Sequence, residues 1–567
     1  MSFIFWVKDS FFLILFIMDL QYILIALVLI TALYLIFSNK KEKITFSSTS
    51  FLDEKKNDFN FNLINKYYKS RILLESNYFQ IISEKISNDL DLDFVFKKID
   101  RTISIIGQQY LYYKTRVIKK SQQELESFSI LTDYFIENKN NTLLTIKELS
   151  SINSHDAYFF EELINNEVPI NKHILKNAIF LNILLTTLVI LSFFFHIFFL
   201  GVFLIFCINL FLHYKNKSSI DFYLNNLSEF SKTLNVAKKI FDINSFLKIH
   251  FKNLDFIIPL SEFNKKVKFI VIEKYLRNEY LIIFWLIFEL LKITLNIEII
   301  LFNSLMLDIN KYKTQMNNLF IFIGEIDSSI SVSTLRQNKQ LISKPVFSST
   351  STINLTNLYH PLIHECVKNS IHLNNKSVLL TGSNMSGKTT FIRAFAINSI
   401  YSQTLNIAFA DKYESSFFKI FTSIRNQDNI NDSKSFYLDE VLSIKEFIDS
   451  LKSNEPHLFI LDEIFKGTNT AERIAISKAV LSYLNSKNNL VFVSTHDLEL
   501  ADLLIKDNYD LYHFSEDVTN ETLKFNYKIK SGKLTSRNAI KILNMYNYPK
   551  EIISEANYIY NNFTNLS

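Results

Sequence analysis

From Ala178 to Leu212 the chain reads AIFLNILLTTLVILSFFFHIFFLGVFLIFCINLFL, without a formal charge if His196 is neutral. Thirty-five residues exceed one ordinary membrane span and barely suffice for two short helices joined by a tight turn. Lys172 and Lys176 precede the run and Lys215 and Lys217 follow it. Matching basic flanks favour a hairpin with both ends on the cytoplasmic side. The alternative is a single tilted span, which would place all that follows across the membrane.

Two further apolar regions share this character. Phe11 to Phe37 is broken only by Asp19 and Gln21 and is followed by Lys40, Lys41 and Lys43, so residues 1–43 are expected to form an N-terminal transmembrane segment. A secretory signal peptide fits less well, since no early basic cluster and small-residue cleavage site frame the run. Leu281 to Leu307 is apolar but carries Glu289, Lys292, Asn296 and Glu298. Charges are expensive in hydrocarbon, and their spacing roughly fits one polar face of a helix. Residues 281–307 are therefore expected to lie at the interface or to pack on the hairpin, in preference to a true span. The mean hydropathy of +0.11 fits such a mixture of membrane and soluble parts, and a charged fraction of 21% excludes a largely disordered chain of 567 residues. The formal charge of +5 is no nucleic-acid footprint, and Cys207 and Cys366 form no disulfide framework.

Between these blocks the periodicity is helical. Residues 44–175 read as the first part of a helical core. Within it, Asp89 to Arg116 reads as a helix, a turn near Ser104 to Gly107, and a second helix carrying Tyr110, Leu111 and Tyr113. Residues 213–345 read as the second part, with Thr314 to Gln337 again helical.

Past residue 345 the character changes. Lys376 to Leu380 is a short β-type run entering TGSNMSGKTT, which satisfies G-x-x-x-x-G-K-[ST] as Gly382, Gly387, Lys388 and Thr389, and a helix-compatible segment follows. Such a loop wraps phosphates with backbone N–H groups at a helix N-terminus. Lys388 would reach the β- and γ-phosphates and the Thr389 hydroxyl would ligate Mg²⁺. Leu458 to Leu461 then form a strand apolar on both faces, ending in Asp462, placed to hold Mg²⁺, and Glu463, the natural general base. A third strand, Asn489 to His496, ends in His496, where a γ-phosphate sensor can sit. Ala471 to Leu484 supplies the crossover helix that two parallel strands need. These motifs point to ATP hydrolysis with ATP and Mg²⁺ as nucleotide and metal.

Together the residues resemble the MutS family of mismatch-repair ATPases. TGSNMSGKTT is similar to that family's TGPNMGGKST, LDEIFKGTNT to MDEIGRGTST, and STHDLEL to ATHYFEL. Tyr359 to Ile363 resembles the segment that opens its ATPase domain, Asp100 to Arg116 the start of its helical core, and Ser531 to Ala556 the segment that closes the ATPase. The resemblance implies a multidomain protein: a membrane-anchored α-helical core of lever type, interrupted by a hairpin at 178–212, and an α/β P-loop ATPase of ABC-like type at 346–567. It implies nucleotide contacts from His360, Gly382, Ser383, Asn384, Met385, Ser386, Gly387, Lys388, Thr389 and Thr390, metal contacts from Thr389 and Asp462, and catalysis by Glu463, His496 and Lys388. It also implies a homodimer paired through the ATPase domains. There a serine-bearing signature loop and the stretch Gly467 to Thr470 reach the neighbour's site, with Ser433 and Ser435 of Asn431 to Val441 the corresponding γ-phosphate contacts and Glu440 matching the family glutamate that follows them. The glycine of the family's S-G-x-S-T-F pattern is absent, which puts the timing of that activation in doubt. Ahead of the helical core only a membrane segment and a short linker are read, so direct recognition of a mismatch is not expected. The expected protein is thus a dimeric ATPase in the cytoplasmic membrane of a bacterium, its ATPase domain facing the cytoplasm and its partners the lipid bilayer and, as one option, DNA clamped without sequence preference. A membrane-tethered mechanical ATPase acting on protein partners is the alternative.

Overall fold

The computed structural model describes residues 58–566, except 75–77, 166–171, 252–254, 277–281, 338–341, 349–351, 384, 425–435, 519–522 and 535–538. The expected segment 1–43, Asn384, Ser433 and Ser435 lie outside the described residues. Helices of the first half are α1 (Phe61–Ile64), α2 (Lys66–Leu74), α3 (Glu84–Asp89), α4 (Leu92–Ile99), α5 (Ile105–Lys114), α6 (Gln122–Glu137), α7 (Lys139–Leu149) and α8 (Phe160–Asn165), with a small sheet of β1 (Tyr78–Ile81) and β2 (Val117–Lys119). Then come α9 (Lys172–Ser192), α10 (Phe198–Ile243), α11 (Ser245–His250), α12 (Ile257–Leu276), α13 (Ile282–Thr294) and α14 (Ile297–Gln337).

The core is organised around α14, and one buried carboxylate explains the local sequence of α5. Asp327 of α14 accepts from Ile103 N at 2.8 Å and from Ser104 N at 2.7 Å, while Ser104 caps α5 by accepting from Gly107 N at 2.9 Å. A Cβ on Gly107 would lie 2.1 Å from Asp327 Oδ2, and one on Gly324 would lie 2.3 Å from the Tyr110 ring, so the two helices meet where neither has a side chain. Asp100, equally buried, is satisfied by Thr102 N at 2.9 Å and Gln108 Nε2 at 2.7 Å. The chain therefore turns at Asp100–Ser104, just before the expected place, and Gly107 lies inside α5.

The apolar run forms the facing parts of α9 and α10. These helices are far longer than the two short ones expected, because each extends beyond the run into polar sequence: α9 has 21 residues and α10 has 46. Two stretches, His173–Ser192 and Phe198–Lys217, are long and apolar enough to cross a membrane. Phe194, Phe203 and Phe211 are exposed by 74%, 68% and 67%. An apolar face of this kind is the opposite of what a water-facing hairpin carries.

The third apolar region is not one helix. It breaks at Leu295–Asn296, and α13 and α14 meet there at 74°. The hairpin explains the break: Asn182 of α9 donates to Leu295 O, and Asn209 of α10 donates to Thr294 O at 2.9 Å, so carbonyls released by the bend find partners. The charges face inward. His213 Nε2 lies 3.1 Å from Glu289, His213 Nδ1 lies 3.1 Å from Glu298, and Lys217 and Lys292 each lie 2.7 Å from Glu289. The polar face read from the sequence thus packs against the hairpin.

The second half contains β3 (Val346–Phe347), β4 (Thr352–Leu358), β5 (Asn369–Asn374), β6 (Ser377–Thr381), α15 (Lys388–Leu405), β7 (Lys412–Ser415), β8 (Lys419–Ser423), α16 (Phe436–Ser450), β9 (His457–Asp462), α17 (Thr470–Leu484), β10 (Leu490–Thr495), α18 (Glu499–Leu504), β11 (Tyr509–Val518), β12 (Leu523–Ser531), α19 (Ala539–Met545) and α20 (Lys550–Leu566). A six-stranded sheet runs β12-β11-β6-β10-β9-β8, parallel except for edge strand β12, and a four-stranded sheet runs β3-β7-β4-β5. Strands β6 and β10 are buried along their whole length, as the centre of a sheet covered on both faces requires. Arg336, at the end of α14, joins the halves: it reaches Asp133 at 2.8 Å and donates to Asn406 O, the C-cap of α15, at 2.8 Å.

Candidate functional site

Three neighbouring parallel strands, β6, β10 and β9, deliver their C-terminal ends to one edge. Beyond β6 the chain makes the loop of Gly382 to Gly387 and enters α15. Both glycines sit at positive φ, +148° and +109°, and a Cβ on Gly382 would lie 2.7 Å from Phe514 O. Other residues could not make this turn without strain.

Inside the loop Lys388 is 4% exposed, and its ammonium donates to Gly382 O at 2.8 Å and Ser383 O at 2.9 Å. Burial pushes its pKa down, against the pull of Glu463, Asp462 and Glu516. Ser386 Oγ donates to Ser383 O at 2.8 Å, Ser383 Oγ donates to Glu516 at 2.7 Å, and Met385 points into solvent. Thr389, in the first turn of α15, donates to Asp462 Oδ2 at 2.6 Å, and Ser494 of β10 donates to Asp462 Oδ1. Thr390 follows on the same turn.

Asp462, Thr389 and Ser494 form a small hard-oxygen group. Among the described residues no cluster of three His, Cys, Asp or Glu side chains stands ready for a metal. That donor set fits Mg²⁺, which is commonly held by one or two protein oxygens with phosphates and waters completing its octahedron.

Glu463 stands at the end of β9. His496 Nε2 lies 2.5 Å from its Oε1, and Lys466 pairs with Oε2. Burial pushes the carboxyl up, but the bonds from His496 and Lys466 outweigh it and bring its pKa down to about 2, so the group is an anion at neutral pH. The turn behind it is strained: Glu463 has φ +53° and Phe465 φ +60°. Left-handed backbone costs a non-glycine residue about 1–2 kcal/mol. Arg473 of α17 makes a two-pronged bond to Asp497, at 2.8 and 2.7 Å, and so braces the loop that carries His496.

A cavity of about 400 Å³ opens beside the phosphate loop, lined by Tyr359, His360, Ile363, Phe391 and Tyr527 and touched by Gly387 and Thr390. His360 is buried there, with Nδ1 accepting from Leu362 N at 3.3 Å. Burial, with nearby Arg393, lowers its pKa to about 4, so the ring is neutral at pH 7. An apolar, aromatic chamber next to a phosphate loop can seat the flat base of a nucleotide.

The structure therefore brings together Lys388, Thr389, Asp462, Glu463 and His496, and places His360 at the neighbouring chamber. Tyr359, Phe391, Tyr527 and Ser494 were not singled out from the sequence. Ser494 had a readable signal, as a hydroxyl two residues before His496 at a strand end. Tyr527 had none, since a distant edge strand supplies it.

Residues 378–564 match the family model of MutS domain V. The chain is similar to the DNA mismatch repair protein MutS of Staphylococcus haemolyticus, 30% identical over 279 residues, which cover 47% of this chain and 31% of that protein. The corresponding protein of Staphylococcus epidermidis is 28% identical over 275 residues, 46% of this chain and 31% of its own length. That of Staphylococcus aureus strain MRSA252 is 27% identical over 281 residues, 47% and 32%. The chain thus spans about a third of the length of these relatives.

Proposed function

Since this chain belongs to the MutS family through its C-terminal domain, we propose that it is a membrane-anchored ATPase that hydrolyses ATP to ADP and phosphate and works as a homodimer paired through the ATPase domains. The observation that carries the reading is the 2.6 Å bond between Thr389 and Asp462, with Glu463 and His496 beside them at one sheet edge. In this mechanism Lys388 leaves the Gly382 and Ser383 carbonyls and turns its charge to the β- and γ-phosphates. Thr389 and Asp462 would hold Mg²⁺, which would supply positive charge beside the phosphate oxygens. Glu463 accepts the proton of the attacking water, and His496, within reach of Glu463, donates toward the γ-phosphate. The aromatic chamber around Tyr359, His360 and Phe391 takes the base.

The exposed apolar faces of α9 and α10 support insertion of this hairpin into the bilayer, with both ends and the ATPase domain on the cytoplasmic side. The bend at Leu295–Asn296, held by Asn182 and Asn209, supports a region 281–307 that packs on the hairpin and returns to the side it came from. In such a chain ATP-driven closure of two protomers would clamp DNA without sequence preference near the membrane.

The test is the ATPase rate of the full chain in nanodiscs, with and without closed circular duplex, across a salt series. A duplex-dependent change at low salt that fades as salt rises is expected, because phosphate contacts release counterions. No change at any salt would remove the DNA partner and leave the alternative, a mechanical ATPase acting on proteins.

A further inference from the structure

A buried glutamate outside the group just described bears on the same reaction. We propose that Glu440 is a positioning residue for hydrolysis: its carboxylate pins the turn after β9 and so aims Glu463 at the attacking water. This rests on Glu463 being the general base.

Glu440 lies in the first turns of α16 and is only 3% exposed. Its Oε1 accepts from the backbone N–H of Phe465, two residues beyond Glu463. Among the described residues its buried Oε2 has no hydrogen-bond partner. A buried carboxylate with one oxygen unsatisfied is costly, so its presence calls for a role that packing alone does not supply. Burial pushes its pKa up, opposed by the Phe465 N–H and by the charges of Lys466 and Lys85.

What it holds is the strained part of the site. Glu463 N–H donates to Ser494 O at 2.9 Å, which fixes the chain at the end of β9. Beyond that, the next tie is the Phe465 N–H on Glu440, with only Ile464 between. Both tied residues are left-handed. The motif that this turn resembles has glycine where Phe465 stands, a residue that takes such a conformation freely. Phe465 must instead be held there. The helix is seated directly on the turn: a Cβ on Gly467 would lie 3.0 Å from the Tyr437 Cβ, and the Tyr437 and Phe465 rings are 6.3 Å apart. Without the Glu440 acceptor, Phe465 can relax toward ordinary φ, and the peptide that carries the Glu463 side chain rotates with it.

Glu440→Leu keeps much of the bulk and removes the acceptor, whereas Glu440→Gln keeps an acceptor oxygen. In the full-length chain in nanodiscs, Glu440→Leu should lower kcat by roughly 10- to 100-fold, the scale of a misplacement near 1 Å, with ATP affinity changed less than about threefold. Glu440→Gln should recover most of the rate. Combined with Glu463→Gln, Glu440→Leu should slow the residual reaction no further. Wild-type kcat in Glu440→Leu, an equal loss of affinity and kcat, or further slowing of Glu463→Gln would overturn the proposal. A near-wild-type rate in Glu463→Gln alone would instead overturn the base assignment, and this proposal with it. If Glu440→Leu shows no cooperative melting transition, Gly467→Ala, which pushes Tyr437 off the turn, must give the same loss of kcat at retained affinity; wild-type kcat there is the overturning result.

Discussion

Glu463→Gln is expected to bind ATP as tightly as the wild type and to turn it over on the order of 10³-fold more slowly, the range that a positioned general base supplies. Glutamine preserves the shape of the side chain and an oxygen facing His496, which lies 2.5 Å from Glu463 in the native chain. It cannot accept a proton from water. The loss should therefore fall on kcat and leave the nucleotide dissociation constant within about twofold, the pattern of an interaction made only in the transition state. Single-turnover hydrolysis alongside equilibrium binding of a fluorescent ATP analogue separates the two quantities. If the variant hydrolyses ATP at the native rate, the base is some other group.

Lys388→Ala is expected to fail earlier, at binding. Its ammonium is the cation buried within the loop, held on the Gly382 and Ser383 carbonyls at 2.8 and 2.9 Å. Truncation removes a charged donor to phosphate, worth about 1.5–3 kcal/mol, and leaves two loop carbonyls short of a partner. ATP affinity should fall by roughly 10- to 100-fold. The same fluorescent titration reads this, and wild-type affinity would show that the loop does not hold phosphate through Lys388.

The site was legible where its chemistry is local in sequence. TGSNMSGKTT, LFILDE and VFVSTH each place a short apolar strand before a polar cluster, and the parallel pairing of β6, β10 and β9 converts three separate strings into one edge. What escaped was set by tertiary contact. Tyr527 reaches the chamber from an edge strand, and the bond from Phe465 N to Glu440, a residue already matched to the family's glutamate, joins positions 25 apart, a pairing that no spacing rule covers. The fold divides in the same way. The hairpin was visible because the absence of charge over Ala178 to Leu212 is itself the signal. The bend at Leu295–Asn296 was not, because neither proline nor glycine marks a break between Leu281 and Leu307. The donors that make the break tolerable, Asn182 and Asn209, sit on other helices. In the helical core, the seat of Gly107 on Asp327 joins residues over 200 positions apart, so the motif around Ser104 was readable as a turn but not as the place where α5 locks to α14.

Whether one chain unites membrane insertion with ATP hydrolysis is tested most directly by alkaline carbonate extraction of bacterial membranes containing the full-length protein, followed by Mg²⁺-dependent ATPase assay of the pellet protein in nanodiscs. The expected result is a chain that stays in the carbonate-washed pellet and hydrolyses ATP there, with Glu463→Gln retained equally but inactive. Release of active chain into the carbonate supernatant would contradict the membrane assignment of α9 and α10. A pellet protein with no hydrolysis at any Mg²⁺ concentration would contradict the reading of the site.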